Sequence, residues 1–167
     1  MVRLKSLIPG AMLVAVWLVC ASDIAPVRYG GWTPYFMQRA ELERSVSMAS
    51  APREMENPGK IWIDGDNIYV VERYRGVHII DNSDPAAPLQ SGFIVAPGCM
   101  DVALRGGIVY LDNAVDLVAF DPATGTVTER LRDYFPEPAS PTGDRYYNNS
   151  GMILVGWRQI EKEEGRP

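Results

Sequence analysis

From Lys60 onward the chain alternates short apolar runs with polar breaks. The runs are Lys60 to Asp64, Ile68 to Glu72, Val77 to Asp81, Gln90 to Val95, Val102 to Leu104, Ile108 to Leu111, Leu117 to Phe120 and Thr126 to Leu131. Each is rich in β-branched or aromatic residues and too short for a packed helix, so the pattern predicts a strand at every run. The breaks hold turn residues, among them Asp64-Gly65-Asp66-Asn67, Ala96-Pro97-Gly98, Arg105-Gly106-Gly107 and Asp121-Pro122-Ala123-Thr124-Gly125. Glycine there admits positive φ and proline fixes φ. Most runs are apolar at successive positions, which suits strands covered on both faces.

Upstream the texture differs. Tyr29, Trp32, Tyr35 and Phe36 lie among Gly30, Gly31 and Pro34. Gln38 to Ser47 then places Leu42 four residues before Val46 and alternates acidic with basic positions, which predicts one short helix. Ala49 to Gly59, with Pro52 and Pro58, reads as a connector. Downstream, Met152 to Trp157 predicts one more strand, and the polar end Glu161 to Pro167 is expected to fray.

The strand set repeats. Ile61, Ile63, Gly65 and Tyr69 recur 41 positions later as Val102, Leu104, Gly106 and Tyr110, and Val77 to Asp81 recurs 40 positions later as Leu117 to Asp121. A period near 40 with four strands per unit is the mark of propeller blades. The expected fold class is therefore all-β: an incomplete β-propeller of about two four-stranded blades over residues 59–138. It is preceded by a segment with a short helix over 20–58 and followed by a tail with one strand over 139–167. A ring needs at least ~4 blades and a stacked array ~3 repeats. Three outcomes stay open: other chains supply the rest, the chain is a truncated piece, or two sheets persist as an open sandwich. In an isolated two-blade stack, Ile61, Ile63, Ile79 and Phe93 of the first unit and Leu104, Tyr110, Val118 and Phe120 of the second are the side chains at risk of exposure, with the upstream aromatics placed to cover one side.

The first residues form an address. Arg3 and Lys5 precede a stretch, Ser6 to Ser22, without a charge, and Asp23 follows. A positive end, an apolar middle and a polar exit make a signal peptide over residues 1–19, and the stretch is short for a membrane span of ~20 apolar residues. A retained anchor helix is the alternative. Leu18-Val19-Cys20-Ala21-Ser22 resembles the lipobox of bacterial lipoproteins, in which the cysteine is acylated and becomes the new N-terminus. Valine before the cysteine departs from the small residue that pattern prefers. Cys20 is the expected lipidation site, and an ordinary cleavage giving a soluble secreted chain from Ser22 is the competing reading. Removal of residues 1–19 takes away two positive charges, so the net charge moves from −5 to −7. Such a surface is repelled by anionic headgroups, and membrane attachment would rest on the acyl chains.

Leu117-Val118-Ala119-Phe120-Asp121 resembles the repeat after which the LVIVD-repeat proteins are named. Trp32-Thr33-Pro34, Tyr35 to Val46, Asn57-Pro58-Gly59-Lys60-Ile61 and Gly76 to Asp81 are similar to the opening of those proteins, so the resemblance runs from about Gly31 to Trp157. It implies a secreted bacterial β-propeller, a lipoprotein of the cell envelope on the outer membrane or cell surface. The family carries more repeats than the two found here.

Composition narrows the chemistry. The chain has 167 residues, 47% apolar and 22% charged, with 16 basic against 21 acidic side chains. It can bury a core, and it lacks a basic stripe for nucleic acid. One histidine and two cysteines are too few for a structural zinc site. Cys99 is expected to be a small buried hydrophobe without a disulfide partner once Cys20 is lipidated. His78 lies between Val77 and Ile79, where packing on a sheet face is the default over general-base work. Asp81 and Asp121 end equivalent strands and are expected to accept N–H bonds of the next turn. Asp64, Asp66 and Asn67 crowd a turn that could hold calcium but fits a hairpin better, since Arg105-Gly106-Gly107 replaces it in the second unit. Tyr146-Tyr147-Asn148-Asn149 could stack on a sugar or form a turn. No phosphate loop, nucleophile elbow or zinc-protease motif occurs, and no cofactor is expected. The function expected is a non-enzymatic binding or scaffold module that meets a protein partner, or itself, through exposed blade faces. The alternatives are an enzyme acting on extracellular glycans and a non-functional fragment.

Overall fold

The computed structural model describes residues 31–143 and 146–160. The order is β1 (Trp32–Met37), α1 (Arg39–Arg44), β2 (Ser47–Met48), β3 (Pro58–Asp64), β4 (Asn67–Glu72), β5 (Gly76–Asp81), β6 (Leu89–Val95), β7 (Val102–Arg105), β8 (Ile108–Asn113), β9 (Asp116–Asp121), β10 (Thr126–Leu131) and β11 (Ile153–Gln159). The protein is all-β with three antiparallel sheets, none of them closed. β3 to β6 form a meander extended at one edge by β2, β7 to β10 form a second meander, and β1 pairs with β11. The expected signal peptide and Cys20 lie outside the described residues, as does the tail beyond Ile160.

The 41-residue period survives as geometry. In the first sheet Ile61 pairs with Val70 and Val70 with His78; in the second, Val102 pairs with Leu111 and Leu111 with Val118. The turns repeat as well. Gly65 and Gly106 stand at φ 59° and 60° in the β3–β4 and β7–β8 hairpins, and Tyr74 and Ala114 take φ 64° and 57° in the next ones. The second of these turns is one residue shorter, which accounts for the drop from 41 to 40.

Because side chains alternate across a strand, each sheet has two faces. Trp62, Tyr69, Val71, Val77, Ile79 and Ile94 share one face of the first sheet. They pack against Val102, Leu104, Val109, Leu111, Val118 and Phe120 of the second, and Cys99 lies in the same core. Of the side chains expected at risk, Ile79, Val118 and Phe120 are therefore buried between the sheets, and Phe93 is buried on the opposite face.

Of the upstream aromatics, Tyr29 lies outside the described residues, and the other three do not cover an open sheet face. Trp32, Tyr35 and Phe36 belong to β1, a strand the sequence pattern missed because Pro34 interrupts it. Proline is tolerated there because β1 is an edge strand with a single partner. Tyr35 and Met37 instead pack with Leu42 of α1, Ala114, Ile153 and Val155 in a second cluster. Gly98 lets the loop before β7 approach this region, since a Cβ there would sit 2.6 Å from backbone atoms of Ala114.

Candidate functional site

The face of the first sheet turned away from the second carries two rows of paired residues. One is Ile61, Val70, His78 and Phe93, the other Ile63, Ile68, Ile80 and Gln90. Residues 49–57 cross this face as a strap and close its β6 side. Ile61 and Ile63 on β3 stay 59% and 66% exposed, beside half-buried Ile68 and Ile80. Contiguous open apolar side chains of this kind are characteristic of interaction surfaces.

Under the strap sits a buried polar cluster. Glu72 and His78 are almost wholly enclosed. Glu72 accepts the backbone N–H of Glu56 at 3.0 Å and that of Asn57, and its Oε2 lies 3.1 Å from His78 Nε2. Gln90 donates to the carbonyl of Arg53 and, through the same amide nitrogen, meets His78 Nδ1 at 2.6 Å. With the Gln90 amide in this orientation its nitrogen donates to Nδ1, and Nε2 faces the Glu72 carboxylate. The Arg53 guanidinium stacks 4.9 Å above Phe93, whose ring stands edge-on to His78. The ion pair of Glu56 with Arg75, 2.7 Å, secures the end of the strap and holds the Glu56 carboxyl below its usual range. The cluster pairs an acid with an imidazole, is sealed from solvent, and clasps the strap to the sheet through its bonds to Glu56, Asn57 and Arg53.

Glu72 is the residue that the sequence reading missed. It was legible in principle: pairing Val70 with His78 puts Glu72, two positions further along the same face, diagonal to the histidine.

A second buried carboxylate fastens α1 to the second sheet. Asp116 receives Arg39 Nη1 and Arg130 Nη1, both at 2.7 Å, and the backbone N–H of Asp133. Burial alone would raise its pKa, and these bonds from Arg39, Asp133 and Arg130 hold it below the usual carboxylate range. Arg130 also reaches Asn113, which in turn donates to the carbonyl of Pro97.

The other candidates settle into structural places. Asp81 accepts the N–H of Ser83 and Asp121 that of Ala123, both at 2.9 Å, the same turn in both units. Asp64, Gly65, Asp66 and Asn67 form a hairpin turn with Asp64 paired to Asn67. Among the described residues no group of three or more His, Cys, Asp or Glu side chains is placed to hold a metal ion. The Cys99 thiol is buried and points to the carbonyl of Asp101; burial pushes its pKa well up. Asn148 turns the chain by accepting from the N–H of Ser150 and donating to the carbonyl of Met152, while Tyr146 packs edge-on against Trp157. Among the described residues no helix is long and apolar enough to cross a membrane. Comparison with protein-family models, with curated proteins and with solved structures finds no match in any of the three.

Proposed function

We propose that this chain is a cell-envelope lipoprotein, anchored through acyl chains on Cys20, whose two meanders are successive blades of a partial β-propeller of the LVIVD-repeat kind. It serves as a non-catalytic binding or scaffold module. The observation that supports a docking role most is the open row of Ile61 and Ile63 beside half-buried Ile68 and Ile80. The clasp favours a structural over a catalytic use of the first sheet, because Glu72 and His78 are committed to holding the strap down. The blade reading draws on the matching registers and turns of the two units and on the burial of one face of each against the other.

Two measurements test this. Metabolic labelling with a clickable fatty acid is expected to mark the chain, and Cys20→Ser to remove both the label and membrane retention; an unlabelled N-terminus at Ser22 overturns the anchor. A photo-crosslinking residue at position 63 is expected to give a defined adduct in intact cells. One at exposed Glu41 of α1, placed as a surface control outside both meander sheets, should give no adduct of the same kind. No adduct at position 63 overturns the docking role.

A further inference from the structure

We infer that the open face of the first sheet receives the outer face of the second sheet of another copy of this chain, so that copies stack head to tail. The inference rests on the docking reading above and names the occupant.

The contact between the two sheets within one chain is heterologous: each sheet contributes a different face. Along the repeat, the half that the second sheet contributes corresponds to the open face of the first. Val102 and Leu104 answer to Ile61 and Ile63, Val109 and Leu111 to Ile68 and Val70, and Phe120 to Ile80. The first sheet thus carries the kind of surface that the second sheet buries inside the chain, with Ile61 and Ile63 open, Ile68 and Ile80 half-buried and Val70 buried. At the other end, the outer face of the second sheet corresponds to the half that the first sheet contributes. Tyr110 there answers to Tyr69, which is buried in the core, yet is 37% exposed; Leu131 on the same face is 48% exposed. One chain therefore ends in two unequal open faces, and these are complementary in the sense its own interior defines.

The strap leaves this contact room. It covers Phe93 and His78 on the β6 and β5 side, whereas β3, with Ile61 and Ile63, stays open. Within the chain, too, β3 lies beside β7, so the equivalent edge strands of the two sheets run next to each other in the existing contact. A second copy continues that contact by one more step. Isologous pairing of two open first sheets would leave Tyr110 and Leu131 uncovered.

The test is complementation by sedimentation equilibrium of the full chain. Ile61→Glu with Ile63→Glu blocks the first face, and Tyr110→Glu blocks the second; these sites are exposed enough for the variants to fold, which circular dichroism checks. The parent is expected to gain mass with concentration. Each blocked chain alone should stay monomeric, and an equimolar mixture should form a dimer and nothing larger, since each variant retains the face the other lacks. A parent that stays monomeric at every concentration overturns the inference. So does a Tyr110→Glu chain that still dimerises, which indicates pairing of like faces. A crosslink at position 63 to a different protein, with a monomeric parent, removes the second copy and leaves the docking role intact.

Discussion

Replacing Asp116 by alanine strips three donors of their acceptor at once. Asp116 is fully buried, and the Arg130 side chain beside it is 12% exposed, so the guanidinium cannot easily turn to water; Arg39, at 33%, partly can. Removing one partner of a buried ion pair costs about 3–5 kcal/mol, and the partial exposure of Arg39 points to the lower end. About 3 kcal/mol is a large share of the ~5–15 kcal/mol that holds a domain together, and it lowers Tm by roughly 10 °C at this size. Asp133→Asn is the control. Its carboxylate also meets Arg39 but is 71% exposed, and at φ 51° asparagine is as well tolerated as aspartate, so the loss is expected below ~1 kcal/mol. Urea unfolding followed by circular dichroism measures both. An Asp116→Ala chain within ~1 kcal/mol of the parent, or an Asp133→Asn chain that suffers equally, refutes the claim that burial sets the value of this cluster.

The pH dependence of stability should carry two opposite signs. Asp116 has a lowered folded pKa, so its contribution is full above the ordinary value of 3.8 and is lost as pH falls through the folded value; Asp116→Ala should flatten the acid limb of a stability-against-pH curve. Asp112 is raised, first by burial, so its contribution is full below 3.8 and lost as pH rises. Asp112→Asn, whose amide oxygen can still accept from Met100 and Asp101, should therefore gain on the parent toward neutral pH in the same titration. Gly76→Ala should cost about 3 kcal/mol or more in denaturant unfolding, because its Cβ would meet the Ile94 carbonyl at 1.9 Å, whereas Gly106→Ala, facing open space at φ 60°, should cost only ~1–2 kcal/mol. In a Cys20→Ser chain the remaining thiol, Cys99, should react with a disulfide reagent only on unfolding, and rapid labelling of the native chain would contradict its burial.

The meanders were legible because short apolar runs rich in β-branched and aromatic residues, cut by glycine or proline breaks, encode strands and turns locally. Every run read as a strand between Lys60 and Leu131 lies in an observed strand, and α1 falls inside Gln38 to Ser47. The repeat added what local pattern lacks, the equivalence of the two units. Burial was read less well, since apolar composition marks a residue as able to be buried without saying which face meets a partner. Ile63 and Ile79 look alike in sequence, yet Ile63 is open and Ile79 lies between the sheets. The side on which each lies depends on register and on which sheet arrives. The clasp was hidden for a related reason. A connector with Pro52 and Pro58 has no periodicity, and its role is set by backbone N–H groups of Glu56 and Asn57 that no side-chain pattern reveals. Asp116 was passed over because the value of a carboxylate at a strand start comes from Arg39 and Arg130, which are distant in sequence.

The central claim is that the two sheets stack with unlike faces together and leave the Ile61–Ile63 face of the first sheet open to a further copy. The most direct measurement is the broadening of isoleucine methyl resonances by a soluble paramagnetic agent. In dilute protein the Ile61 and Ile63 methyls should broaden strongly while those of Ile79 and Ile94, buried in the inter-sheet core, stay sharp. As concentration rises, Ile61 and Ile63 should become protected together with the Tyr110 ring. Ile61 and Ile63 methyls as protected in dilute solution as those of Ile79, or Ile79 and Ile94 methyls broadened with them, would contradict the account.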